Sequence, residues 1–217
     1  MPNFDFMNTK DRILEAALNL FNKEGYMNIS SKTISEEMGI SYGNLCYHFP
    51  KKDDIVLRLH QNLLDEMDDT LENLEGEIFE FHFMLQSLKQ LMDLTFKYRF
   101  FLVNSYDIIT RYPNIKAKTI ERSKAYHSVI YRIAIFLMEN EYMHPTNDDK
   151  LLRKKIHGLL IIFNSWIIDY AVFYEDSLDK DTVESTYYIK LLFSMIHSSL
   201  TKKGKDSFAN GYLSMIS

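Results

Sequence analysis

The chain of 217 residues holds a single cysteine, Cys46, which excludes an intramolecular disulfide and any multi-cysteine zinc site. With only 7 Gly and 4 Pro it has few residues that break helices, and no stretch shows the apolar–polar alternation of a strand. Base is not in excess: 25 Lys and Arg face 30 Asp and Glu, a net charge of −5, so a binder that relies on a broad basic surface is excluded. Residues 1–60 carry 7 basic against 8 acidic side chains, so neither end of the chain is basic by itself. Long apolar runs are also missing. The longest charge-free stretch, 156–168, is shorter than the about 20 residues that a bilayer requires, and His157, Asn164 and Ser165 interrupt it. The opening MPNFDFMNTK has neither the basic start nor the apolar run of a signal peptide. A cytoplasmic protein without a membrane span is expected.

Clusters that could carry chemistry are equally scarce. His82, His127, His157 and His197 fall on separate helical segments without the spacing of metal ligands. Glu141 and His144 form one Glu-x-x-His pair beside Pro145, whereas a di-iron bundle needs two such pairs and two further glutamates. Cys46 and His48 lie two apart, so on a helix they point in different directions, and nothing orients them. No glycine-rich loop is present to cradle a phosphate. The expectation is no metal, no cofactor and no catalysis.

What is present is bulk and helical periodicity. Hydrophobic residues make up 46% of the chain, including 15 Phe, 14 Tyr and 11 Met, which places it among globular proteins rather than disordered ones. From Asp11 the apolar positions Ile13, Leu14, Ala17, Leu18 and Phe21 keep helical spacing up to Gly25. Ser30 can cap a short helix carrying Ile34 and Met38 that stops at Gly39, and Ser41 can cap another running to about His48. Two such helices joined through a glycine make a candidate helix-turn-helix. Pro50 ends the pair. A long helix follows, with Ile55, Leu59, Leu63, Met67, Leu71 and Leu74 in one stripe, up to Gly76. Five more helices are expected at about 78–97, 100–111, 115–141, 150–174 and 183–202, separated by RYPN, MHPTND and EDSLDKD, with a short last helix at 208–216. The fold class is all-α.

The stretch RILEAALNLFNKEGYMNISSKTISEEMGISYGNLCYHFPKKDDIV, residues 12–56, resembles the N-terminal DNA-binding domain of TetR-family bacterial repressors. The likeness rests on the ordered string Ala16, Ala17, Phe21, Gly25-Tyr26, Ile34, Gly39-Ile40-Ser41, Gly43, Leu45, Tyr47-His48-Phe49 and Lys52. It implies a helix-turn-helix domain over 1–52, a connecting fourth helix over 53–76, and a helical ligand-binding and dimerisation domain over 77–217. It further implies double-stranded operator DNA as partner, an unidentified small-molecule inducer, and a homodimer through the helices at 150–174 and 183–202. By the same likeness Lys32, Thr33, Tyr47, His48 and Lys52 stand where the family holds phosphates, with Lys52 favoured by its place in the first turn of helix four. Tyr42, Gly43 and Asn44 would read bases: Asn44 offers an amide suited to adenine, Tyr42 a contact to a base edge or a thymine methyl, and Gly43 a close backbone approach. Three positions depart from the family pattern. Ser35 and Met38 stand where alanines are usual, and Cys46 stands where a tyrosine is common.

In the second half Phe81, Phe83, Met84, Phe96, Phe100, Phe101, Met138, Phe163 and Trp166 can wall an apolar pocket, with Asn104, Asp107, His127, Tyr131 and Asn164 as polar groups inside it. The residues alone are equally compatible with a plain core. They also leave open a helical ligand-binding or adaptor protein that reads no promoter.

Overall fold

Asn8 starts the first helix by accepting a 3.0 Å hydrogen bond from the backbone N–H of Asp11. The resulting α1 (Thr9–Glu24) buries Ile13, Leu14, Ala17, Leu18, Leu20 and Phe21 on one side. Ser30 opens α2 (Ser31–Glu37) with a capping box, its hydroxyl accepting from the Thr33 N–H at 3.1 Å. The backbone then turns at Gly39, whose φ of 65° is strained for a residue with a Cβ. Ser41 caps α3 (Tyr42–His48) by accepting from the Asn44 N–H at 3.1 Å. The Phe49 side chain closes the core below, and α4 (Lys52–Gly76) leads away.

This computed structural model describes residues 8–76, 81–173 and 185–216, with the side chains at 72–76, 81, 82 and 216 outside the description. The helices after α4 are α5 (Phe81–Lys97), α6 (Phe100–Val103), α7 (Ser105–Arg111), α8 (Pro113–Glu139), α9 (Asp149–Phe173), α10 (Ser185–Ile196) and α11 (Lys202–Ile216). Among the described residues the only β pairing is an isolated bridge between Met143 and Leu200, so the all-α fold class holds. The expected turn EDSLDKD, the helix starts at 78 and 183, and the side chains of Phe81 and His82 lie outside the described residues.

Two expectations about helices fail for local reasons. The single helix at 100–111 is two, α6 and α7. Asn104 leaves helical geometry, and its side-chain amide donates to the Phe100 carbonyl at 2.8 Å, competing with the helix ladder. The last helix starts at Lys202 and not at 208, so KKGK lies inside it. Gly204 is there for proximity: a Cβ on it would collide with the Tyr142 carbonyl oxygen, against which the start of α11 rests. The neighbouring Thr201 N–H donates to that same carbonyl at 3.1 Å.

The core of the N-terminal helices does not stop at residue 52. Phe21, Tyr26 and Ile55 share it with Tyr98, Phe100, Phe101, Ile108, Tyr112 and Ile115, which come from the segment 98–115. A second core gathers α5, α8, α9, α10 and α11 around Trp166. The α4 helix runs between them, held to α5 by Lys97, whose ammonium contacts Glu66 at 2.7 Å, and to α8 by the Arg122 guanidinium on Asp68.

Candidate nucleic-acid interface

Only Leu45 of α3 is buried, which leaves the opposite side of the helix to solvent. That side carries Tyr42 (54% exposed), Gly43, Asn44 and Tyr47 (84% exposed). Among the described residues, nothing lies within 4 Å of the place where a Cβ on Gly43 would stand. Glycine in a helix costs roughly 0.5–1 kcal/mol relative to alanine, and no neighbour in the chain requires it here. The Tyr42 hydroxyl interacts with Cys46 one turn on, an arrangement that raises the phenol pKa. Tyr47 stands edge-on to the His48 ring, with centroids 5.2 Å apart.

The residues named for phosphates are placed unequally. Lys32 is exposed and 3.7 Å from Glu36, a loose pair that a phosphate can displace. Thr33 uses its hydroxyl in the α2 capping box, 2.9 Å from the Ser30 hydroxyl. Lys52 departs most from expectation. Its ammonium turns inward, donates to the carbonyls of Tyr26 at 2.6 Å and Ile29 at 2.7 Å, and sits 4.3 Å above the Tyr26 ring. Burial lowers its pKa, and Arg111 adds to this while Asp53 opposes it. The physical reason is the turn Tyr26–Asn28, which leaves carbonyls facing the start of α4 that only a long cation can reach.

Residues with no signal in the sequence complete this junction. Asp53 accepts from the Tyr112 hydroxyl at 2.7 Å and from the Arg111 guanidinium at 3.0 Å. Because Tyr112 donates to Asp53, Tyr26, whose hydroxyl is 3.0 Å away, donates to Tyr112. Partial burial acts to raise the Asp53 pKa, but the Tyr112 hydrogen bond, Arg111 and Lys51 outweigh it and bring it below the ordinary value. Asn22 adds a second tie, donating to the Lys97 carbonyl at 2.8 Å and accepting from the Phe100 N–H at 3.1 Å.

Residues 13–59 match the model of bacterial regulatory proteins of the tetR family, and residues 63–208, more than half of the chain, match the TetR model described as a bacterial transcriptional repressor. The chain belongs to the TetR family of DNA-binding transcriptional regulators. A TetR-family regulator from Marinobacter aquaeolei VT8 superposes with a TM-score of 0.83 at 24% identity, covering 94% of this chain and 98% of that one. The ketosteroid regulator KstR2 of Mycobacterium tuberculosis follows at 0.66 and 14%, over 90% and 96% of the two chains. A putative regulator from Saccharomonospora viridis, solved with choline, gives 0.66 and 20%, over 89% and 98%. At these identities the likeness is one of fold. An HTH-type transcriptional regulator of Staphylococcus aureus (strain USA300) is 41% identical over 61 residues, which is 28% of this chain and 33% of that protein, so the chain matches only about a third of the length of such curated relatives.

The TetR-family chain also has a cavity of about 260 Å³ enclosed by α4, α5, α8, α9, α10 and α11. None of the seven residues expected to bind a ligand lines it. Phe100 is buried in the N-terminal core beside Phe21, and Asn104 is bonded back to its own helix. Asp107 is exposed on α7. His127 and Tyr131 line a separate open cleft between α8 and α9, with ring centroids of His127 and His157 5.5 Å apart. Asn164 is exposed and donates to the Leu160 carbonyl at 2.8 Å. Trp166 is core, its indole N–H donating to the Thr95 hydroxyl at 3.1 Å. The reason is rotational: on α9 the residues facing the cavity are Leu152, Ile156, Leu159, Leu160 and Phe163, and the next turn has rotated Asn164 out to solvent and Trp166 towards α5. Of the expected apolar walls, Met84 and Phe163 do line the cavity.

Proposed function

We propose that the protein is a ligand-responsive transcriptional repressor that binds a pseudo-palindromic operator as a homodimer. The observation that carries this is the outer face of α3, where Tyr42, Asn44 and Tyr47 are exposed and Gly43 is a glycine that the chain's own packing does not require. A partner that approaches the backbone as closely as a groove wall supplies the missing requirement. Tyr42, Gly43 and Asn44 read bases. Lys32, Thr33, Tyr47 and His48 hold phosphates, while Lys52 contributes its backbone position at the start of α4 and its ammonium braces the preceding turn.

Two copies pair through α9 and α10. On α9 the exposed residues Ile161, Ile168 and Val172 (66% exposed) follow one another at helical spacing, and Leu191 and Met195 (56% exposed) do so on α10. By length and composition α9 is also long and apolar enough to cross a membrane. Its other face, however, packs Leu152, Ile156, Leu160, Trp166 and Ile167 into the protein core, which suits a helix shared between subunits and not one surrounded by lipid.

The cavity lined by α4, α5, α8, α9, α10 and α11 holds the effector. Met67 and Leu71 of α4 form part of its wall, so occupancy bears on the helix that carries the recognition unit at its other end. A ligand that prefers the arrangement with the two heads wrongly spaced lowers operator affinity by linkage. The test is fluorescence anisotropy on the DNA just upstream of the coding sequence, at two salt concentrations, with unrelated duplex as competitor. Saturable binding that survives the competitor and disappears with Tyr42→Ala and Asn44→Ala is the expected result. Equal retention of any duplex would end this reading.

A further inference from the structure

We infer that the six-helix cavity takes a single-chain aliphatic amphiphile with an anionic head, of the class of a medium-chain carboxylate. This rests on the reading of the cavity as the effector site and gives its ligand a chemical class. The wall is nearly all Leu, Ile, Met, Val and Phe. Towards α4, the hydroxyl of Tyr126 is already engaged with the Met67 sulfur at 3.5 Å. A polar ring system would lose its water there and gain almost no partner in return. An alkyl chain loses nothing.

Shape narrows the choice further. From Tyr126 to Leu137 the cavity follows three turns of α8, a length of about 16 Å at 1.5 Å per residue. The space inside it, about 260 Å³, forms the apolar bore that takes the chain. That length suits an extended chain on the order of ten carbons.

Polarity appears only at the other end. His144, Thr146, Lys155 and Ser199 border the opening, and His144 and Lys155 are exposed at it. The Lys155 ammonium donates to the Ser199 hydroxyl at 2.9 Å, and the His144 N–H donates to the Ser199 carbonyl at 2.8 Å. His144, Lys155 and Ser199 are therefore joined in one rim, with Lys155 as its charged group. A carboxylate leaving the apolar bore meets an ammonium with a hydroxyl beside it, while the tail tip ends against Met67 on α4.

Calorimetry of the full chain, without DNA, with decanoate, butanoate, 1-decanol and decyltrimethylammonium tests this. Saturable binding of one decanoate per chain is expected, with butanoate and decyltrimethylammonium at least tenfold weaker. Lys155→Glu, an exposed change that leaves the fold intact, should weaken decanoate at least tenfold and leave 1-decanol unchanged. Ile130→Trp, which fills the bore, should abolish both, with thermal melting as the check that the variant is folded. The inference is overturned if decanoate shows no saturable binding, if the cationic amphiphile binds as well, or if Lys155→Glu makes no difference. A protein that takes decanoate but ignores operator DNA overturns the regulatory reading alone. One that holds its operator but refuses decanoate overturns this inference alone.

Discussion

Gly43 separates the two demands that the proposed function makes on α3, because folding gains nothing from it and an approaching groove would. Gly43→Ala should raise the melting temperature by a few degrees, for about 1 kcal/mol in a chain of this size, and weaken specific DNA binding in the anisotropy titration. Loss of both stability and binding would show that the glycine serves the fold. Lys52 presents the opposite case. As a phosphate contact it would govern the salt dependence of binding, but its ammonium is committed to the carbonyls of Tyr26 and Ile29. Lys52→Met should therefore cost about 1–3 kcal/mol of stability by orphaning those carbonyls, while the slope of log affinity against log salt stays the same in the folded variant. A slope reduced by about 1 with unchanged stability would restore the phosphate role.

Among the elements, the junctions are decided by close approaches. The first turn of α11 rests on the backbone at Tyr142, and Gly204→Ala should destabilise the protein by about 1–3 kcal/mol, seen as a lower melting temperature, because the obstacle is backbone that cannot step aside. Where α4 meets α6 and α8, His60 packs edge-on against Phe101. Burial, with Lys118 and Arg122 nearby, holds its pKa down from 6.5 to about 4. The folded state therefore binds fewer protons than the unfolded one between these values. Stability is full above pH 6.5 and falls as the solution is acidified towards pH 4, by about 1.5 kcal/mol between pH 6.5 and 5. Chemical denaturation of the wild type and His60→Leu across that range should show the variant losing less. Parallel pH profiles would remove His60 as the cause.

At the scale of the molecule, the net charge of −5 leaves no broad basic surface, so under the proposed function operator affinity leans on pairing two heads in register. Ile161→Glu combined with Ile168→Glu places acids in the exposed stripe of α9 without touching α3. Sedimentation should then show a monomer, and specific operator binding should be lost while the melting transition of the subunit persists. A double variant that stays dimeric would move the interface away from α9.

The all-α class, the caps at Ser30 and Ser41, the turn at Gly39 and the TetR family resemblance were all legible in the sequence. Each depends on residues a few positions apart, where 3.6-residue periodicity and hydrogen-bond reach are fixed by the backbone itself. The direction of the Lys52 side chain, the Asp53–Tyr112–Tyr26 chain, and the choice of Leu159 and Lys155 over Asn164 and Trp166 at the cavity were decided only in three dimensions. Tyr112 lies 59 residues from Asp53, and a rotation of about 100° per residue along α9 determines whether a side chain meets the cavity, the core or solvent. Local spacing cannot carry that information, because it is set by how the helices pack against one another.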